Sequence, residues 1–152
     1  MFRLACRYIR STADSEDIVI MAFTKVFAHI GSFQDRGDGS LEGWIRKVVV
    51  NESLMWLRRR HNFNLTESID SNTDYIDLGG FSELPAEEIC RFMAELPNGY
   101  RTVFNLFVIE GYNHAEIAGM LEISENTSRS QLYKAKALLK KILTREGFQY
   151  GT

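Results

Sequence analysis

Apolar residues recur at steps of three and four along most of the chain, a period that predicts helices almost throughout. In SEDIVIMAFTKVFAHI, Val19, Phe23, Val26, Phe27 and Ile30 share a stripe, which predicts a helix over 15–30 with those residues as its core face. Ser15 is the expected N-cap, and Glu16 and Asp17 suit a first turn where the helix dipole is positive. Ile18, Ile20 and Met21 fall off that stripe, an apolar excess that suits contact with another helix or another protein. GSFQDRGDGS, with three glycines, marks a loop, and a second long helix follows from Ser40 through SLEGWIRKVVVNESLMWLRRR. Ahead of these, 2–9 reads as a helix that begins at, or is cut by, the start of the chain.

From 61 to 84 the period disappears. That stretch is rich in Asn, Asp, Ser, Thr and Gly, cannot bury a core, and reads as a flexible linker. Beyond it, PAEEICRFMAEL sets Ile89, Phe92, Met93 and Leu96 on one face, and Pro97-Asn98-Gly99 reads as a turn. Val103, Phe104, Phe107 and Val108 carry the next helix until Gly111 stops it. Asn113 and Glu116 make a capping-box pair that opens the short helix NHAEIAGML, with Ile117, Ala118 and Leu121 as its apolar residues. Ser124 caps a final helix to about 143, with Leu132, Ala135, Leu139 and Ile142 as its core stripe. The pattern predicts an all-α chain of two small helical domains, 1–62 and 85–146, joined by the acidic linker 63–84. A short helix, a tight turn and a longer basic helix also form a helix-turn-helix signature, although ordinary bundles contain the same arrangement.

Charge sharpens this picture. The 152 residues carry 18 bases and 20 acids, a net charge of −2 that on its face argues against nucleic-acid binding. The distribution argues otherwise. Residues 41–62 hold five bases and two acids and 125–152 six and two, whereas 63–96 holds one base and eight acids. With 45% apolar residues, the chain has enough to pack cores. No run of eighteen apolar residues and no signal pattern are present, so the expectation is a soluble cytoplasmic protein without membrane insertion. Cys6 and Cys90 form no spaced pattern, and His29, His61 and His114 are scattered. There is no H-E-x-x-H, phosphate loop or G-x-S-x-G. The expectation is no catalytic residue, no metal and no cofactor.

The helix faces carry the candidate chemistry. On the last helix, Asn126, Arg129, Ser130, Tyr133 and Lys134 lie opposite the core stripe, a set able to donate to phosphates and read base edges in a major groove. Lys136, Lys140 and Lys141 add attraction to the phosphate backbone, and a merely solvated face is the alternative. On the helix from Ser40, Trp44, Lys47, Asn51 and Arg58 share a narrow wedge. A ring beside an amide and two cations offers an unstacked base a platform, an edge-reading group and charge neutralisation. Trp44 as ordinary core beside Ile45 and Val48 is the alternative there.

Taken together, these segments resemble RNA polymerase sigma factors of the extracytoplasmic-function type, in the sigma-70 family. SEDIVIMAFTKVF resembles the helix of region two that grips the polymerase clamp. GSLEGWIRKVVVNESLMWLRRR is similar to the segments that melt and read the downstream promoter element. ELPNGYRTVFNLFVIEGYNHAEIAGMLEISENTSRSQLYKAKALLKKIL is similar to region four, whose helix-turn-helix binds the upstream element. The resemblance implies polymerase contacts at Asp17, Phe23 and Phe27, beside which the apolar Ile20 and Met21 are candidates, and promoter opening by Trp44, Arg46 and Asn51, to which the wedge adds Lys47 and Arg58. It implies major-groove contacts by Arg129, Ser130, Tyr133 and Lys134, to which the helix face adds Asn126. Three departures stand out. The first helix is short by a turn or two, Ile20-Met21 replaces a polar Gln-Glu pair, and Glu122 occupies the position of the usual turn glycine.

The implied function is transcription initiation: binding core RNA polymerase, directing it to promoter DNA, and being held in check by an anti-sigma factor. The acidic linker is expected to run through a basic channel of the polymerase. Two alternatives remain open at this point. One is a helix-turn-helix regulator that never meets polymerase, and the other is a sigma-like decoy that titrates an anti-sigma factor.

Overall fold

The computed structural model describes residues 1–60, 76, 78–79 and 81–148, and every regular element among them is helical. The chain divides into two compact units after Asn62. Most of the expected linker, 63–84, lies outside the described residues.

The first unit consists of α1 (Phe2–Tyr8), α2 (Thr12–His29) and α3 (Ser40–Arg60). Its core joins Leu4, Ala5 and Tyr8 to Ile18, Ala22 and Val26, and to Val49, Val50, Leu54 and Leu57. Three expectations for α2 need correction. The cap is Ser11, whose hydroxyl accepts from the Asp14 N–H at 3.2 Å, while Ser15 is buried inside the helix and donates to the Ser11 carbonyl at 2.9 Å. The core stripe is Ser15, Ile18, Ala22 and Val26, and Phe27 and Ile30 are 69% and 48% exposed. Two of the four buried positions hold small side chains, so the hydrophobic period followed the large residues on the other side. Ile18 belongs to the core and is not part of an apolar excess. Between α2 and α3, the buried Glu52 carboxylate takes an ion pair from Lys25, which supplies the cation that a buried acid requires.

The first described element of the second unit is a 3₁₀ turn, Phe81–Glu83, where buried Phe81 meets Phe104 edge to face at 5.5 Å. Residues placed at the end of the linker by composition therefore pack on this unit. Then come α4 (Ala86–Glu95), α5 (Asn98–Phe104), α6 (His114–Leu121) and α7 (Glu125–Arg145). Pro85 and Pro97 stand immediately before α4 and α5, so Asn98 and Gly99 are already helical rather than part of a turn. A π-helical segment, Asn105–Ile109, continues α5. Arg101 to Leu106 are buried at consecutive positions, so this helix is covered on every side, and Val108 is 45% exposed, against the expected Phe107–Val108 stripe. Gly111 has a φ of +81°, and beyond it the Tyr112 N–H reaches the Leu106 carbonyl at 2.9 Å.

The α6 capping box forms in full. Asn113 accepts from the Glu116 N–H at 2.9 Å, and the Glu116 carboxylate accepts from the Asn113 N–H at 2.8 Å. Ser124 caps α7 by accepting from the Thr127 N–H at 3.0 Å, and Leu132, Ala135, Leu139 and Ile142 are buried as expected. Between the two helices, Glu122 adopts a left-handed backbone with φ 56° and ψ 44°. A side chain there is strained and glycine is not. Glu122→Gly is expected to stabilise this unit by about 1 kcal/mol, read as a higher denaturant midpoint with an unchanged slope.

Candidate nucleic-acid interface

At the start of α3, an open pocket of about 370 Å³ is lined by Ser32, Phe33, Gln34, Arg36, Ser40, Gly43, Trp44 and Lys47. Trp44 is half-buried, and its ring lies 5.3 Å from that of Phe33 at 33°. The loop that frames the pocket is tied by Asp35, whose carboxylate accepts from the Gly37 N–H at 3.0 Å and from the Ser40 hydroxyl at 2.8 Å. Those two bonds, the backbone one first, hold the Asp35 carboxyl below its ordinary value. Its contribution to loop order is therefore complete above the usual carboxylate range and is lost as pH falls through the lowered value. Gly37 and Gly39, both with positive φ, permit the tight reversal into α3.

Along α3, Lys47, Asn51 and Arg58 are exposed on the same wedge as Trp44. Arg46 is not among them. It lies about 200° around the helix from Trp44, is half-buried, and is already engaged by another group. At the C-terminal end Arg58, Arg59 and Arg60 are exposed, where cations complement the helix dipole, and Arg60 rests 4.8 Å above the Trp56 ring.

On α2 the face opposite the core carries Ile20, Phe23 and Phe27 within a narrow wedge, with Phe23 and Phe27 ring centres 6.2 Å apart. Ile20 is 64% exposed, and Asp17 and Met21 are exposed as well. Phe23 is half-buried. A single exposed leucine-sized residue needs no explanation, whereas an aligned row of them on a helix makes this face a candidate contact surface.

In the second unit, α6, the turn at Glu122 and α7 form a helix-turn-helix. Asn126 and Arg129 are exposed on the first turns of α7, where the Arg129 guanidinium donates to Glu125 at 2.8 Å and to Asn126 at 3.2 Å. Tyr133 and Lys134 are half-buried one turn further on. Ser130 departs from expectation, because it is only 3% exposed. Among the described residues, no group of three or more His, Cys, Asp or Glu is placed to hold a metal. No described helix is long and apolar enough to cross a membrane.

Residues 1–63 match the family model for Sigma-70 region 2, and residues 82–139 match the model for Sigma-70, region 4. The chain belongs to the sigma-70 family, in its extracytoplasmic-function branch. RNA polymerase sigma factor SigV of Bacillus subtilis is 25% identical to it over 145 residues, covering 95% of this chain and 85% of that protein. ECF RNA polymerase sigma factor SigE of Mycolicibacterium smegmatis is 26% identical over 153 residues, covering 95% of this chain and 58% of that protein. ECF RNA polymerase sigma-E factor of Escherichia coli is 25% identical over 146 residues, covering 88% and 75%. The protein is a promoter-directing sigma factor, and the readings as a polymerase-independent regulator or a decoy are not favoured.

Two features of this sigma factor were not singled out as functional from its sequence. Phe33, which faces Trp44 in the pocket, sits in a loop without periodicity to draw attention to it. His114 stood out only as a lone histidine, yet it stacks on Phe107 at 4.5 Å and its Nδ1 lies 2.8 Å from the Ser128 hydroxyl. It therefore bridges α6 and α7.

Proposed function

We propose that the sigma factor divides its work among three surfaces: α2 docks on core polymerase, α7 reads the upstream promoter element, and the pocket at Trp44 takes an unstacked base of the opened downstream element. The open aromatic pocket carries this reading most directly. Phe33 and Trp44 offer apolar ring faces, Lys47 and Arg36 offer cations for the adjoining phosphates, and Ser32, Ser40 and Gln34 offer groups for the base edge. Asn51 and Arg58 extend the same wedge along the path of the strand, and Lys47 joins them to the pocket. Arg46, facing elsewhere, is not assigned a strand contact.

Arg129 supports the reading of α7. Held by Glu125 and Asn126, it is pre-ordered on the first turns, the part of a recognition helix that meets base edges. Tyr133 and Lys134 are suited to backbone positioning, and Ser130 is not assigned a DNA contact. The apolar row Ile20, Phe23 and Phe27, flanked by Asp17 and Met21, supports α2 as the polymerase-docking helix. The same row would suit an anti-sigma factor competing for it. The work is that of an initiation subunit in the cytoplasm, without bond-making chemistry of its own.

Trp44→Ala tests the pocket. Stacking is worth about 1–3 kcal/mol per base, so roughly a tenfold or greater loss of open complex is expected, read by permanganate reactivity of unpaired thymines. Binding of the upstream duplex should be unchanged in the same variant. Undiminished strand opening would remove the pocket from the mechanism.

A further inference from the structure

A histidine bridges the two helices of the helix-turn-helix. His114 opens α6, lays its ring on Phe107 at 23°, and meets Ser128 of α7 through Nδ1. Ser128 is fully buried, and among the described residues its hydroxyl has no other hydrogen-bond partner. If Nδ1–H were the donor, the buried Ser128 O–H would be left without an acceptor. If the hydroxyl donates to a bare Nδ1, no buried donor is left over and the ring proton sits on Nε2. The neutral ring is therefore the form that fits the joint. Ser128 directly precedes Arg129, so whatever fixes the first also sets the second.

We propose that His114 is the positioning residue of the recognition helix: as a neutral acceptor it holds Ser128, and with it Arg129, in the DNA-reading register, and its protonation releases that hold, so promoter recognition weakens on acidification. The inference rests on α7 being the helix that reads the upstream element. Protonation occupies Nδ1, the atom that receives the Ser128 hydroxyl, and adds a cation near Arg129. Two charged groups on α7 act on the ring, Arg129 and the opposing Glu125, while the π-helical segment presents the uncharged Phe107. Burial of the ring, and then the Arg129 charge, hold the imidazole below its ordinary value, with Glu125 opposing them. A group lowered on folding stabilises fully above its ordinary value of 6.5, and that stabilisation is lost as pH falls through the lowered value.

Two substitutions separate positioning from mere packing. His114→Gln supplies an amide oxygen that can accept the Ser128 hydroxyl at any pH, and His114→Ala supplies nothing. Each full-length chain, assembled with core polymerase, would be measured on an upstream-element duplex recovered by selection from a randomised pool. Affinity would be followed from about pH 8 to about pH 5.5, across the histidine range. At the upper end, the alanine variant is expected to bind roughly three- to tenfold more weakly, as for one lost hydrogen bond, and the glutamine variant to restore most of that. As pH falls, wild type should lose affinity relative to the glutamine variant. Parallel profiles for those two chains, a wild type that gains on the variant, or an alanine variant that binds like wild type would each overturn the inference. Arg129→Ala on the same duplex distinguishes the other failure. If it binds like wild type, the assignment of α7 falls, and the role of His114 falls with it.

Discussion

Replacing Arg129 and Lys134 together with alanine is expected to abolish promoter recognition while leaving the fold and polymerase association intact. Arg129 is exposed at the start of α7, so its loss perturbs no core contact, and Lys134 is half-buried on the face away from the core stripe. A specific base contact is worth about 1–3 kcal/mol and a phosphate contact adds a salt-dependent share, so the combined loss is on the order of a hundredfold. A shallower dependence of affinity on salt should accompany it, because one fewer phosphate is neutralised. The measurement is holoenzyme binding to the selected upstream duplex at two salt concentrations, with helix content followed by circular dichroism. Wild-type affinity in a folded double variant would remove α7 from DNA recognition.

The second large effect is expected at α2. Ile20→Asp with Phe27→Asp places two carboxylates in the exposed apolar row, where neither side chain supports the core formed by Ile18, Ala22 and Val26. Burying such charges against a partner is unfavourable, and apolar anchors at an interface are each worth about 2 kcal/mol or more, so polymerase affinity should fall at least roughly a hundredfold. Thermal stability of the free chain should change little or rise slightly, since apolar surface is being replaced by charge. Co-sedimentation with core enzyme in the absence of DNA gives the answer. Retained association would place the docking surface elsewhere on the molecule.

How far the sequence could be read depended on which side chains carried the signal. The helix-turn-helix was legible because its markers are large or chemically distinctive: the Asn113–Glu116 capping box, the Ser124 cap, and the spacing of Leu132, Ala135, Leu139 and Ile142. The core face of α2 was misread because Ser15 and Ala22 add almost nothing to a hydrophobic pattern, while Phe27 and Ile30, conspicuous in the sequence, face outward. The π-helical segment was invisible for a related reason. A wider turn leaves composition untouched, and a helix buried on every side from Arg101 to Leu106 shows no single apolar stripe.

The same contrast holds for the candidate sites. Trp44, Lys47, Asn51 and Arg58 share one helix, so a wheel could group them. Phe33 and the Asp35–Ser40 bond reach the pocket from a loop, where no period exists to place them. Arg46 entered through the family resemblance and not through the wheel, and it is the member that faces away. Ser130 follows from its angle on the helix and from the resemblance, and neither reports that the position is buried. The net charge of −2 is the least informative number, because the quantity that bears on DNA is local to α3 and α7.

Run-off transcription with core RNA polymerase tests the central claim most directly. The template would carry a promoter recovered from a randomised pool by the assembled holoenzyme. The expected result is a transcript of defined start that requires both this chain and core enzyme, and that disappears in the Arg129→Ala, Lys134→Ala variant. A chain that binds the template alone, yet leaves core polymerase without specific initiation, would contradict the account.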